Sequence, residues 1–167
     1  MSDQGQDNRQ NTKPIPTPTG SSNPETPRGI PKDATVLVVE DNVSNFVLIA
    51  RLLGFINIHC EWKTSGYEVV EYADTLPRLD LILLDIRLPY EDGYAALKKI
   101  RLSEKLKNIP IIAVTAEGTQ EQMNKAKAAG FNGFIGKPLD PDKFPEQIRR
   151  IFNNESVWEI PFEDRGF

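Results

Sequence analysis

The sequence predicts an α/β fold: a doubly wound, five-stranded parallel sheet with helices on both faces. Three observations predict it. Short apolar runs recur at residues 36–39, 81–84 and 111–114, without the polar/apolar alternation of a half-exposed strand, so they read as strands buried on both faces. Between them lie segments with apolar residues three and four apart, the crossover helices that parallel strands require. Each run also ends at a polar residue capable of chemistry, and ligands of open parallel sheets bind beyond the carboxyl ends of the strands.

Taken in order, residues 1–33 hold Pro14, Pro16, Pro18, Pro24, Pro27 and Pro31 among Gln, Asn, Ser, Thr and Gly. Too little apolar surface is present to offset the entropy of ordering, and a disordered tail is expected. The folded domain is expected over 34–153. Its first strand, Val36-Leu37-Val38-Val39, ends in Glu40-Asp41, and a helix follows with Val43, Phe46, Val47 and Ala50 at helical spacing. Gly54 reads as its left-handed cap. A second strand is expected within 55–62, containing Ile56, Ile58 and Cys60, and Ser65-Gly66-Tyr67-Glu68 has the spacing of a capping box opening a helix with Val69, Ala73 and Leu76 inward. The third strand is Leu81-Ile82-Leu83-Leu84, closed by Asp85, and residues 93–102 form a helix packed through Leu97 and Ile100.

Residues 110–115 read as the fourth strand, with Pro110 at its first position. Thr119-Gln120-Glu121-Gln122 is a second capping box, and Gly130 ends the helix it opens. That helix offers only Met123, Ala126 and Ala129 to a core, so it should be loosely held. Residues 131–136 form the fifth strand before Lys137-Pro138. The last helix carries Phe144, Ile148, Ile151 and Phe152, with Pro145 confined to its first turn. Beyond it, 154–167 is an acidic, aromatic tail with Trp158, Phe162 and Phe167. Two readings stay open for it: a frayed end, or an arm that docks through its aromatic residues.

Composition narrows the function. With 167 residues, a net charge of −4 and a pI near 5.1, the chain lacks the basic footprint of sequence-independent nucleic-acid binding. No run approaches the roughly 20 apolar residues of a membrane span, and no secretory pattern opens the chain, so a cytoplasmic location is expected. Cys60 and His59 are each the sole residue of their type, which excludes an intrachain disulfide and a thiol-based metal site and argues against serine–histidine hydrolysis.

At the carboxyl edge the fold would gather Glu40, Asp41, Asp85, Thr115 and Lys137. Clustered carboxylates repel one another unless a cation neutralises them, and an all-oxygen donor set suits Mg²⁺. With a lysine and a hydroxyl alongside, such a cluster can hold a phosphoryl group, and an aspartate so flanked can act as nucleophile and carry an acyl phosphate.

The segments Val-Leu-Val-Val-Glu-Asp-Asn, Leu-Ile-Leu-Leu-Asp-Ile-Arg-Leu-Pro, Ile-Ala-Val-Thr-Ala and Gly-Phe-Ile-Gly-Lys-Pro-Leu resemble the receiver domain of two-component response regulators. The resemblance covers about 34–153. It implies a flavodoxin-like receiver fold of strand order 2-1-3-4-5, with Asp85 as phosphoacceptor, Glu40 and Asp41 as Mg²⁺ ligands, and the Arg87 backbone carbonyl as a further ligand. It implies that Thr115 and Lys137 contact the phosphoryl group, that Lys137-Pro138 is cis, and that Phe134, with Thr115, is a conformational switch. Arg87 and Glu117 would flank the path of hydrolytic water as modulators of the phosphoryl lifetime.

Expected partners are a sensor histidine kinase or a histidine phosphotransfer protein, and a downstream protein on the face of the fourth helix, fifth strand and fifth helix; homodimerisation stays open. The residues after the last helix are too few for an output domain, so a stand-alone signalling phosphoacceptor is expected and not a turnover enzyme. Two enzymatic alternatives fit poorly. The turn Glu40-Asp41-Asn42 lacks the glycines or hydroxyls that cradle a nucleotide phosphate, and a dehalogenase-type phosphatase needs an aspartate where Arg87 stands. The remaining alternative is a receiver-like scaffold that binds partners without phosphorylation.

Overall fold

Apolar runs flanked by helical periods form a three-layer α/β structure in the computed structural model, which describes residues 29–161. The expected tail lies, through residue 28, outside the described residues, as do residues 162–167. Strands β1 (Thr35–Val39), β2 (His59–Lys63), β3 (Leu81–Leu84), β4 (Ile111–Thr115) and β5 (Gly133–Gly136) alternate with helices α1 (Val43–Phe55), α2 (Val69–Thr75), α3 (Gly93–Leu102), α4 (Gln120–Ala129) and α5 (Phe144–Phe152). A sixth strand, β6 (Trp158–Glu159), follows α5. All neighbours pair in parallel in the order β2-β1-β3-β4-β5-β6.

Side chains of successive strand residues point to opposite faces, and both faces are covered. Val36, Val38, Leu81, Leu83, Ile112, Val114 and Ile135 pack with α1 and α5. Leu37, Val39, Ile82, Leu84, Ile111, Ala113 and Phe134 pack with α2, α3 and α4. This double burial is why β1, β3 and β4 read as continuous apolar runs. The chain order reverses direction between β1 and β3, so the crevice at their carboxyl ends is where the fold leaves room for a ligand.

Local signals correctly placed several boundaries. Thr119 caps α4 by accepting from the Gln122 N–H at 3.2 Å, Gly130 closes it in the left-handed region, and Pro145 lies in the first turn of α5. Only Ala126 of α4 is buried, in keeping with its sparse apolar content.

Other expectations are corrected. Of the stripe Val43, Phe46, Val47 and Ala50, Phe46 packs against the core but Val43 is 60% and Val47 39% exposed, and the buried residues of the helix are Ile49, Leu52 and Leu53. Helix α1 is apolar on more than one side, so spacing alone could not choose its inner face. Gly54 lies inside α1, and the left-handed residue is Asn57, at φ 58°. The turn is instead closed by N–H groups of Ile56 and Asn57 returning to the carbonyls of Leu53 and Gly54. Ser65 does not cap α2; that helix starts after Glu68, whose φ is 60° and whose side chain makes no cap bond. Strand β2 begins at His59, since Ile56 and Asn57 belong to the turn. The sheet has six strands and not five, because Trp158 and Glu159 pair with Phe134 and Ile135.

The central strand sets the stability. Leu83 is 1% exposed at the middle of β3, and Leu83→Ala should lower the unfolding free energy by about 2–5 kcal/mol in urea titrations. Leu102→Ala, at a position 84% exposed, should change it by less than about 0.5 kcal/mol.

Candidate functional site

Four side chains converge where β1, β3 and β5 leave the sheet. Glu40 and Asp41 follow β1, Asp85 follows β3, and Lys137 follows β5. The carboxylates of Glu40, Asp41 and Asp85 each offer an oxygen within 4.8 Å of the others. Glu40 and Asp85 are buried and Asp41 is exposed. Lys137 Nζ donates to Asp85 Oδ2 at 2.9 Å and also to Glu40 Oε2. Burial alone would push the Lys137 ammonium down. The hydrogen bonds to Glu40 and Asp85 and the attraction of both carboxylates outweigh it, and the net shift is upward. Lys137 therefore stays charged at neutral pH, one cation facing three acids.

Each group is held from behind. Asp85 Oδ1 accepts the Arg87 backbone N–H at 3.0 Å, fixing the carboxylate against the turn after β3. Glu40 Oε1 accepts the Asn42 N–H at 3.1 Å and the Asn45 side-chain amide at 3.5 Å. Asn42 in turn caps α1 by accepting the Asn45 N–H at 2.9 Å, so the helix start and the acidic pair are one construction. The Trp62 indole N–H donates to the Glu40 carbonyl at 2.8 Å, and its ring stacks on Phe46 at 4.1 Å between centroids. Gly93 brings the start of α3 onto the backbone of Asp85: its N–H donates to Ile86 O at 2.7 Å, and a Cβ there would stand 2.5 Å from the Asp85 carbonyl oxygen.

Thr115 ends β4 opposite Gly136, and its carbonyl accepts the Lys137 N–H at 2.8 Å. Its hydroxyl is buried with no hydrogen-bond partner among the described residues. A buried hydroxyl left unpaired keeps its donor free for another group. Arg87 and Glu117 form an ion pair, with the arginine side chain largely exposed. Phe134 is fully buried on β5, between Ala113 of β4 and Trp158 of β6, and is not part of the carboxylate cluster. The Lys137-Pro138 bond is cis.

The structure thus gathers Glu40, Asp41, Asp85 and Lys137, places Thr115 beside Lys137, and joins Arg87 to Glu117. The supporting residues Asn42, Asn45, Trp62 and Gly93 escaped the sequence reading. Only the Asn42-to-Asn45 cap spacing carried a signal for them. A hard-oxygen cluster with one lysine for three carboxylates fits Mg²⁺, which binds through one or two carboxylates and keeps waters and phosphate oxygens in its shell.

Comparison with known proteins points the same way. The family model for the response regulator receiver domain matches residues 36–149. The chain is 32% identical over 123 residues to the polar-differentiation response regulator DivK of Brucella ovis, covering 69% of this chain and 93% of DivK. It is 36% identical over 116 residues to the signal transduction histidine-protein kinase BarA of Escherichia coli, but spans only 12% of that protein's length. Among solved structures, the receiver domain of the sensor histidine kinase PA1611 of Pseudomonas aeruginosa superposes with a TM-score of 0.65 at 32% identity, covering 74% of this chain and 99% of that one. That structure holds a magnesium ion in its active-site cleft.

If the acidic cluster is the metal site, Mg²⁺ should perturb the emission of Trp62, whose indole is bonded to the Glu40 carbonyl. In a fluorescence titration, Asp41→Asn should weaken the apparent affinity at least about tenfold; an unchanged midpoint would remove Asp41 from the ligand set.

Proposed function

The chain belongs to the response regulator receiver family, and from that premise we propose that Asp85 accepts a phosphoryl group from a phosphohistidine donor and so switches a protein-contact surface. The observation that carries the reading is the convergence of Glu40, Asp41, Asp85 and Lys137 at one crevice, with Thr115 at the end of the neighbouring strand β4. An Asp85 carboxylate oxygen attacks phosphorus, the donor's P–N bond breaks, and the departing imidazole keeps the electron pair and takes up a proton. Lys137, now bonded to Glu40 and Asp85, is close enough to exchange one carboxylate for a phosphoryl oxygen, and Thr115 can donate to another. The backbone N–H of Arg87 holds the second Asp85 oxygen in place throughout. Glu40, Asp41, Asp85 and the Arg87 carbonyl would hold Mg²⁺, which when bound offsets charge on the phosphoryl oxygens.

The consequence is electrostatic. Phosphorylation adds roughly 1.5–2 negative charges and three acceptor oxygens to the pocket. Thr115 is drawn toward them, and α4, of whose residues only Ala126 is buried and Met123 partly so, is the element least able to resist. A minor arrangement is thereby favoured over the resting one, a shift of populations between states the fold already allows. Phe134, packed beneath the α4 side of β5, is the residue we assign to relay the movement of Thr115.

The chain acts in this reading as a signalling phosphoacceptor in the cytoplasm, served by a sensor histidine kinase or a histidine phosphotransfer protein. The match to the response regulator DivK, 93% of which the chain covers, supports the signalling reading. The output surface is the face of α4, β5 and α5.

Incubation with acetyl phosphate and Mg²⁺ should add the mass of one phosphoryl group to the wild-type chain and none to Asp85→Asn; labelling of both, or of neither, would overturn the assignment. The Arg87–Glu117 pair is proposed to screen the acyl phosphate from water. Arg87→Ala should therefore shorten the phosphoryl lifetime by about twofold to tenfold, a modest effect because exposed pairs contribute little, and a wild-type decay curve would leave the pair without that role.

A further inference from the structure

The edge of β5 is occupied by the chain itself. The Phe134 N–H donates to the Val157 carbonyl at 2.8 Å, Phe134 and Ile135 pair with Trp158 and Glu159 in parallel register, and Val157 is fully buried. Two glycines of β5 make this approach possible. A Cβ on Gly136 would stand 2.6 Å from Pro161 Cδ, and one on Gly133 would stand 2.7 Å from the Val157 carbonyl oxygen. Glycine in a strand interior marks a place where another backbone comes close. β5 is therefore built to receive residues 157–161.

The occupying segment is recognised side chain by side chain, alternately on the two faces. On the α5 side, Arg150 donates to Glu159 Oε1 at 2.9 Å and Oε2 at 3.3 Å, and the Gln147 amide reaches Oε1 at 3.4 Å. On the α4 side, Lys127 Nζ lies 4.7 Å from the Trp158 ring centre. These contacts bridge α4, β5 and α5. Val157 anchors the segment in the core, whereas Trp158, Glu159 and Ile160 beyond it are partly exposed and held by a two-residue ladder, the kind of element that opens locally.

The same segment touches the two places that strain at Asp85 would reach. Trp158 lies in register beside Phe134. Pro161 rests against Gly136 and Gly118, with its Cδ 3.3 Å from where a Gly118 Cβ would be. Gly118 lies in the loop that begins at Thr115, so movement of the Thr115 hydroxyl toward a phosphoryl oxygen displaces the seat of Pro161.

We propose that the β5 edge is a strand-docking surface whose ligand in the resting protein is this chain's own segment 157–161, and that phosphorylation of Asp85 loosens that segment and bares the face of α4, β5 and α5. The proposal rests on the phosphoacceptor reading of Asp85. Until the segment leaves, a partner on that face meets Glu159 and Trp158 and not the β5 backbone.

Amide hydrogen exchange on the full chain, with phosphoryl occupancy read by intact mass on the same sample, tests it. Acetyl phosphate with Mg²⁺ should speed exchange across residues 157–160 about fivefold or more, and Asp85→Asn treated identically should stay at the resting rate. Glu159→Arg should raise exchange there without phosphorylation, and the charge-swapped pair Arg150→Glu with Glu159→Arg should restore protection. A phosphorylated chain whose segment exchanges no faster overturns this proposal while leaving Asp85 as the acceptor; a chain that takes no phosphoryl group overturns both. Protection that rises with protein concentration would assign the strand to a second copy and overturn the intramolecular form.

Discussion

Three strand ends meet at the Lys137 ammonium, and the rest of the site depends on that contact. Its bonds to Glu40 and Asp85 tie the ends of β1, β3 and β5 together across the sheet. Without it, two buried carboxylates would face each other with no compensating charge, an arrangement that costs several kcal/mol in a water-poor environment. The same contact holds the ammonium on the protein's own acids, and in the proposed function a phosphoryl oxygen would replace one of them. Structural neutralisation and chemical readiness are thus one interaction.

The layout behind that contact follows from burial. Because both sheet faces are covered, β1, β3 and β4 can be apolar throughout, and polar groups are admitted only where the strands end. That makes the strand ends the natural place for Glu40, Asp41, Asp85 and Thr115, with supporting bonds from the turn residues Asn42 and Arg87, from Asn45 in the first turn of α1 and from Trp62 on β2. Gly93 lets the start of α3 lie against the backbone of Asp85 and Ile86.

Much of this was legible in the residues alone. Unbroken runs such as Leu81-Ile82-Leu83-Leu84 identify buried strands, and the polar residues that end them identify the site. The illegible parts have physical causes. Helix α1 carries apolar side chains around most of its circumference, so its inner face is decided by the sheet and not by spacing. Ser65 has the sequence of a cap, but the chain turns at Glu68 instead. Strand β6 is two residues long and has no periodicity of its own; its existence depends on glycines at 133 and 136, distant in sequence, that leave room for it. Trp158 read as an aromatic anchor, yet nothing local could say which surface it would meet. The supports of Glu40 were missed for the same reason, since Trp62 reaches it from a neighbouring strand.

The sixth strand changes what the face of α4, β5 and α5 presents. In a five-stranded sheet β5 is an edge, and an exposed edge invites pairing. Here residues 157–161 cover it, and the cover touches both the loop after Thr115 and the neighbour of Phe134. A short path of packed groups therefore runs from the loop after Thr115 to that edge, the path along which the proposed coupling would act. The account stands most directly on where the phosphoryl group goes. Borohydride reduction of the chain after treatment with a phosphohistidine donor or acetyl phosphate converts an aspartyl phosphate to homoserine. The account predicts homoserine at position 85 and nowhere else; its absence there, or its appearance at Asp41 or another carboxylate, would contradict it.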